Sequence, residues 1–496
     1  MKTQKPTLRI TILLFFIVCL LFFVYSFLLK PQEYIQGKKI FGHYTEYKGD
    51  IYFVKRYKLL QVDRVTFRPL NDEIWNRHIA LDKNHVYCGE NILPHLDPTK
   101  THAIAHSYYS DGNLTYYCSY YRYPNPDLAW WDEIWDITLN KIFNIDKRPF
   151  EIHNIVALPQ SEMPYRVLPN ITKGIVTNGT RTYYDGLLMK DANWQTLKPI
   201  AETAGHSVSN SSVYSTDGKN VYFKNEKLPL QYNDEIYALD TNHLTTELYL
   251  INPKDGMVYL ENKPFDNKNA PYTPISKYDE HTYQTLFLSD NGIYFYNRYS
   301  KSIERAGDNV FAQGVFEEIS PLVFSDGKKT LFVDAKMHKV SIRRSLKSGI
   351  HYHSTFINEL DEGLIGRWQN LGSVSAATIW QNGNNYFYFN QRGEDEGFDE
   401  KIYKIHNKQI ADEILQNNPN FDELRNLVQS QKLTKVKYKE LVEARTIYDA
   451  TAYYATKYEW LIILAFIVLG YLAKRERRYL RRKTEEYKRD KLKGTE

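Results

Sequence analysis

The local signatures of the commonest enzyme classes are missing from this chain: there is no Gly-x-Ser-x-Gly elbow, no His-Glu-x-x-His, no P-loop and no Gly-rich dinucleotide fingerprint. Catalysis by residues scattered over the loops of a repeat fold leaves no such signature, so an enzyme is not excluded. Cysteine is scarce, with Cys19, Cys88 and Cys118 in 496 residues, too few for a disulfide framework. Glycine and proline, 24 and 19 residues, are at ordinary levels. A basic excess is missing everywhere except at the ends: residues 1–9 carry +3 and residues 474–496 carry +6, so the whole-chain +5 leaves −4 between them. The high pI is therefore no argument for nucleic acid, and no nucleic-acid partner is expected.

Long apolar runs are limited to two. Ile10 to Leu29 has no charge and follows Lys2, Lys5 and Arg9; at 1.5 Å per residue it is long enough for a hydrocarbon core of roughly 30 Å. A cleaved signal peptide is the alternative, but no small-x-small site follows, and Val18 before Cys19 does not suit a lipobox. Trp460 to Ala473 is shorter, and a buried or interfacial helix is its alternative. Tyr453, Tyr454, Tyr458 and Trp460 on one side and Lys474-Arg475-Glu476-Arg477-Arg478 on the other favour a span. The expected order is a cytoplasmic tail at 1–9, a transmembrane helix at 10–29, a β-repeat domain at 36–405, a helical stalk at 406–457, a second span at 458–473 and a basic cytoplasmic tail at 474–496. By the positive-inside rule both ends are cytoplasmic and the large domain is extracytoplasmic.

What the chain has in abundance is tyrosine, 41 residues, and a recurring phrase. An Asp or Asn, usually with Gly, is followed by polar residues and then by β-branched and aromatic ones. It is anchored at Asp82, Asp111, Asn178, Asp217, Asp255, Asp290, Asp326 and Asn382. From Asn178 to Asp326 the steps are 39, 38, 35 and 36 residues. The earlier steps of 29 and 67 suggest one degenerate copy, and the last step of 56 an insertion. Asp-Gly and Asn-Gly tolerate positive φ and make tight turns, so each anchor reads as a hairpin turn, not as an acidic binding site. A second phrase, Asn71-Asp72-Glu73-Ile74-Trp75, recurs at Trp131-Asp132-Glu133-Ile134-Trp135, Asn233-Asp234-Glu235-Ile236-Tyr237 and Phe316-Glu317-Glu318-Ile319. Three or four short strands per ~36 residues is the length of a propeller blade. The expected fold is mainly β, a propeller of seven or eight blades. Alternatives are two β-sheet repeat domains, with a seam at 154–175, or a β-solenoid. Helical apolar spacing at Ile410 to Leu415 and Phe421 to Glu443 gives the stalk.

Leu81-Asp82-Lys83-Asn84-His85-Val86-Tyr87-Cys88-Gly89-Glu90-Asn91-Ile92, followed by Leu96-Asp97-Pro98-Thr99, resembles the repeat of the DKNYY family of bacterial envelope proteins. Other copies replace Lys-Asn by Gly-Lys or Gly-Asn, and Cys88 stands where a second aromatic is usual. The resemblance implies a protein of the bacterial cell envelope and brings no catalytic residues.

Candidate sites are sparse. Cys88 and Cys118 each follow an aromatic in neighbouring repeats; a disulfide and two isolated buried thiols explain them equally well. His102 and His106 have the i, i+4 spacing of helical metal ligands, with His95 nearby, but this stretch reads as strand and turn, and ordinary polar histidines are the competing reading. His351 and His353 share a strand face. Glu394 to Glu400 is an acidic loop without the alternation of a calcium site. Trp130, Trp131 and Trp135 are a partner patch or core packing. No cofactor, metal or small-molecule substrate is assigned. The function expected is a membrane-anchored, non-enzymatic binding or scaffolding module facing a protein or glycan partner outside the cytoplasm. The alternative is an enzyme acting on an envelope polymer from a funnel at the propeller centre, and a third role, signalling through the basic tail, requires a cytoplasmic partner.

Overall fold

The computed structural model describes residues 35–128, 132, 148–168, 174–204, 207–240, 247–275, 282–340, 350–361, 364, 366–375, 377–391 and 399–447. Both expected spans, both tails, the Trp130, Trp131 and Trp135 cluster and most of the acidic loop lie outside the described residues. Among the described residues no helix is long and apolar enough to cross a membrane.

The fold is mainly β. Short antiparallel strands succeed one another as four-stranded meanders over 38–58, 68–93, 102–157, 166–188, 198–231, 237–264, 273–307, 317–360 and 369–405. The last two each gain an extra strand from the end of the domain. All eight sequence anchors fall at one place, the turn between the second and third strands of their sheet. A ninth such turn, Lys48-Gly49 of the first sheet, escaped the pattern because no Asp or Asn precedes its glycine. The 67-residue step hides no degenerate copy among the described residues. The third sheet is simply long, with strands Thr115–Pro124 and Glu151–Ala157 reaching far beyond the turn. The second phrase is not a repeat element: it is a 3-10 turn at Ile74–Asn76 but a first strand at Glu317–Ser320.

The chain divides into two compact units, one of residues 1–200 with 210–234 and one of 201–209 with 235–496. The seam expected at 154–175 is interior to the first unit, where Tyr108, Tyr117, Leu158, Tyr165, Val176 and Tyr183 share one core. Each sheet of the first unit packs on the next in sequence. Tyr44, Ile51 and Phe53 meet Ala80 and Tyr87; Ile79, Leu81 and Val86 meet Tyr109 and Tyr116; Leu168, Ile175 and Tyr184 meet Tyr222. A single meander cannot bury both faces, so stacking supplies the core, at about 1.5–3 kcal/mol for each large side chain removed from water. The second unit does the same: Tyr249 and Val258 meet Phe287, and Ile293 and Phe295 meet Phe324 and Val333. In it Glu202 and Thr203 pair in parallel with Ala238 and Leu239.

One expectation is corrected in the second unit. The stalk is instead a cap. Helices α1 (Lys408–Asn417) and α2 (Phe421–Gln429) lay Ile410, Ala411, Ile414 and Leu424 on Ala377, Ile379, Tyr388 and Tyr403, covering the outer face of the last sheet. Asn407 and Asn420 cap them, the latter in a capping box with Glu423. The chain then returns as strands Leu433–Lys435 and Tyr438–Ile447, the second pairing with Ile350–Leu360 over its length. A closed barrel or seven- or eight-bladed propeller is not found among the described residues.

Candidate functional site

The repeat turn is built identically in several sheets. At Asp111, Asp217 and Asp326 one carboxylate oxygen accepts the N–H groups two and three residues on, at 2.6–3.0 Å. The residue before the anchor, Ser110, Thr177, Thr216 or Ser325, donates its hydroxyl to the carbonyl closing the loop and accepts the glycine N–H. The following glycine has φ of +93° at Gly112 and +87° at Gly218, a conformation that side chains resist. The second oxygen of the Asp reaches the linker between sheets: Asp82 accepts from Asp63 N (2.7 Å), Asp111 from Asp97 N (3.0 Å) and Asp217 from Asn193 N (3.4 Å). Burial works to raise the Asp82 pKa, but the backbone N–H donors and the Tyr87 hydroxyl outweigh it and hold it low. At Asp82, Asp111 and Asp217 both carboxylate oxygens are committed to the chain itself, a structural role.

A different group gathers where the first three sheets meet. Cys88 and Cys118 are joined in a disulfide with Cα atoms 6.3 Å apart. Beside it, His153 donates Nδ1–H to Ser119 O at 2.7 Å, and His78 donates Nε2–H to Cys118 O at 3.4 Å. The two imidazoles stack at 5.3 Å. Burial, then the neighbouring His153, pushes His78 down to about 3, and burial pushes His153 down to about 4; both are neutral near pH 7. Glu90 and Arg122 form an ion pair at 2.8 Å, with side chains only 9% and 10% exposed, and the guanidinium lies 4.1 Å from the Tyr57 ring centroid. Burial pushes the Glu90 carboxyl up against the pull of Arg122. His78 Nδ1, His153 Nε2, Glu90 Oε2, Tyr57 Oη and two Arg122 nitrogens have no hydrogen-bond partner among the described residues. Such a concentration of unsatisfied buried polar atoms is unusual.

From this group a line of rings leads to the surface. His78 lies 5.4 Å from Tyr120, which lies 6.5 Å from Trp75 and 5.1 Å from Tyr121; Trp75 in turn meets His106 at 4.9 Å. Glu73, Trp75, Asn76, Ala103 to His106 and Val167 line a cleft of about 280 Å³. Trp75 is 47% exposed and Tyr121 71%.

The metal candidates His102 and His106 are set apart along extended chain. His102 starts the strand His102–Ala105 and is exposed, while His106 follows the strand and faces Trp75. Four residues of extended chain span roughly 13 Å, so i, i+4 does not converge as it would on a helix. Among the described residues the His, Cys and carboxylate group with ligand atoms close enough for one ion is Cys88, Cys118 and His153, within 4.8 Å of one another. Sequence spacing could not have revealed it, because His153 is supplied by a distant strand. His353 stacks on Tyr283 at 3.9 Å, an aromatic contact. Of the acidic stretch, Asp399 and Glu400 pair with Lys435 at 2.9 and 2.8 Å and Glu400 also with Lys336 at 3.3 Å, an internal network that includes buried Asp334.

Residues 44–226 match the DKNYY family, a span that runs from the first sheet into the fifth. Comparison with curated proteins and with solved structures returns no match.

Proposed function

Proceeding from the DKNYY-family segment, we propose that this protein is a non-enzymatic binding module of the bacterial cell envelope, held at the membrane by a span at each end, with its β domain outside the cytoplasm. The observation that carries the reading is the cleft beside Trp75. An exposed indole joined through Tyr120 to Tyr121, next to the polar Glu73 and His106, is the chemistry that holds a sugar ring, apolar face on aromatic ring and hydroxyls on polar groups. We assign the cleft to an envelope glycan. The Cys88–Cys118 disulfide supports the oxidising side of the membrane. Consecutive four-stranded meanders with the length of propeller blades support a blade-like arrangement within each unit, and such stacks present broad, rigid surfaces.

The test is retention of the purified full-length chain on insoluble envelope polysaccharide. Trp75→Ala is expected to weaken retention about tenfold or more, the loss of ~1.4 kcal/mol or more that stacking on one aromatic supplies, with an unchanged melting temperature. Equal retention of variant and wild type would remove the cleft from the reading. Release of soluble fragments from the polymer would favour the alternative, an enzyme acting on it.

A further inference from the structure

His153 is oriented by a hydrogen bond of the kind that ligating histidines make through their second ring nitrogen. Its Nδ1–H is fixed on Ser119 O at 2.7 Å, and Asn154 N holds the same residue through Ser119 Oγ at 2.8 Å. This is the outer-shell bond that sets the tautomer of ligating histidines and leaves Nε2 with the lone pair. Nε2 has no partner among the described residues, in a side chain only 3% exposed. Space is kept at that atom: a Cβ on Gly89 would lie 2.7 Å from Nε2 and 2.6 Å from Cδ2, and Gly89 has φ of +60°. The two sulfurs, both fully buried, and a ring nitrogen of His153 lie within 4.8 Å of one another.

We propose that, when the Cys88–Cys118 disulfide is reduced, Cys88, Cys118 and His153 hold a Zn²⁺ ion. Two thiolates and one neutral imidazole form a donor set suited to zinc, with a fourth position left for water. Charge supports it: two thiolates cancel the dication, so the site adds no net charge beside the Glu90–Arg122 pair. The cycle balances with a dithiol as reductant. Its two thiols pass two electrons and two protons to the disulfide, giving Cys88 and Cys118 thiols and an oxidised dithiol; Zn²⁺ binding then releases the two protons. A small disulfide as oxidant then takes two electrons from the two thiolates and leaves as two thiolates, which take up two protons from water; the S–S bond forms again, both thiolate ligands are lost and the ion is released. The inference is independent of what occupies the Trp75 cleft.

The experiment uses the full chain in a Cys19→Ala background, so that every thiol signal comes from the pair. Oxidised and dithiol-reduced protein are titrated anaerobically with Zn²⁺ and the metal is counted after gel filtration; Co²⁺ in parallel reads thiolate-to-metal charge transfer. The expected result is one equivalent on the reduced chain, none on the oxidised chain, and protection of both thiols from an alkylating reagent by the metal. His153→Asn keeps an N–H for Ser119 O but removes Nε2, and is expected to abolish stoichiometric binding. Gly89→Ala sets a Cβ against Cδ2 and Nε2 of His153 without replacing a ligand residue, and is expected to weaken binding by about tenfold or more. Binding unaffected by His153→Asn overturns the proposal, as does absence of binding by the reduced chain. Loss of the far-ultraviolet β signal on reduction before metal is added also overturns it, since the site is then no part of a folded protein.

Discussion

Tyr87 donates its hydroxyl to Asp82 Oδ2 at 2.9 Å from five residues farther along the same hairpin, and Tyr222 repeats the bond to Asp217 at 3.3 Å. The tyrosine of the repeat is thus tied to its aspartate, and that aspartate holds the linker from the previous sheet. One phrase closes a hairpin and fixes the step to its neighbour.

Asp82→Asn is therefore expected to cost roughly 1–3 kcal/mol, because an amide at Oδ2 sets donor against donor at Asp63 N and Tyr87 Oη. Tyr87→Phe leaves the backbone bonds intact and should cost about 1 kcal/mol. Urea unfolding of both variants checks the order; a costlier Tyr87→Phe would show that the hydroxyl, not the carboxylate, organises the turn.

The glycines divide into two kinds. Gly218 has φ of +87° and open space where a Cβ would stand, so Gly218→Ala should cost about 1 kcal/mol from backbone strain alone. Gly256 has φ of +65°, and its Cβ would lie 2.2 Å from Pro271 Cβ. Gly256→Ala should cost at least about 2 kcal/mol more, since backbone has to shift. Thermal melting of the two variants side by side tests the difference.

The hairpin turns were legible because Asp-Gly and Asn-Gly carry their own conformational reason, and all the anchors stand at one structural position. The Ser or Thr before several anchors was equally visible in the sequence and bonds the same loop, at Ser110, Thr177, Thr216 and Ser325. It was missed because its role depends on where the loop closes. Tyr438–Ile447 read as helix, yet Val442, Ala444 and Thr446 are buried alternately, a strand period; pairing with Ile350–Leu360 decides between two patterns that the residues both permit. The buried group was illegible for a different reason. His78 and Glu90 come from two turns and Arg122 and His153 from two strands, and no local spacing foretells their meeting.

The disulfide closes a loop with a sequence separation of 30. Chain entropy then gives about 3–4 kcal/mol of stabilisation. The double variant Cys88→Ala, Cys118→Ala should lower stability by that amount without a change in β content, read by urea titration followed by circular dichroism. A loss of under about 1 kcal/mol would mean that the surrounding sheets already fix the two strands in the unbridged chain.

Asp334 in the second unit has the opposite pH behaviour to the turn anchors. Burial, against the pull of Lys336 at 3.9 Å, pushes its carboxyl up to about 7. The unfolded chain releases that proton near pH 4, so between about pH 4 and 7 the folded state binds more protons than the unfolded one, and this residue's contribution to stability falls as pH rises. Asp334→Asn keeps the acceptor for Ala335 N, bonded at 2.9 Å, and carries no charge at any pH. Lys336 retains Glu400 at 3.3 Å and the Tyr438 hydroxyl at 2.6 Å. The variant should match wild type near pH 4 and exceed it at pH 8, in urea midpoints measured across that range. A variant that is less stable than wild type at pH 8 would show that Asp334 is held ionised by Lys336 and that the ion pair outweighs its burial.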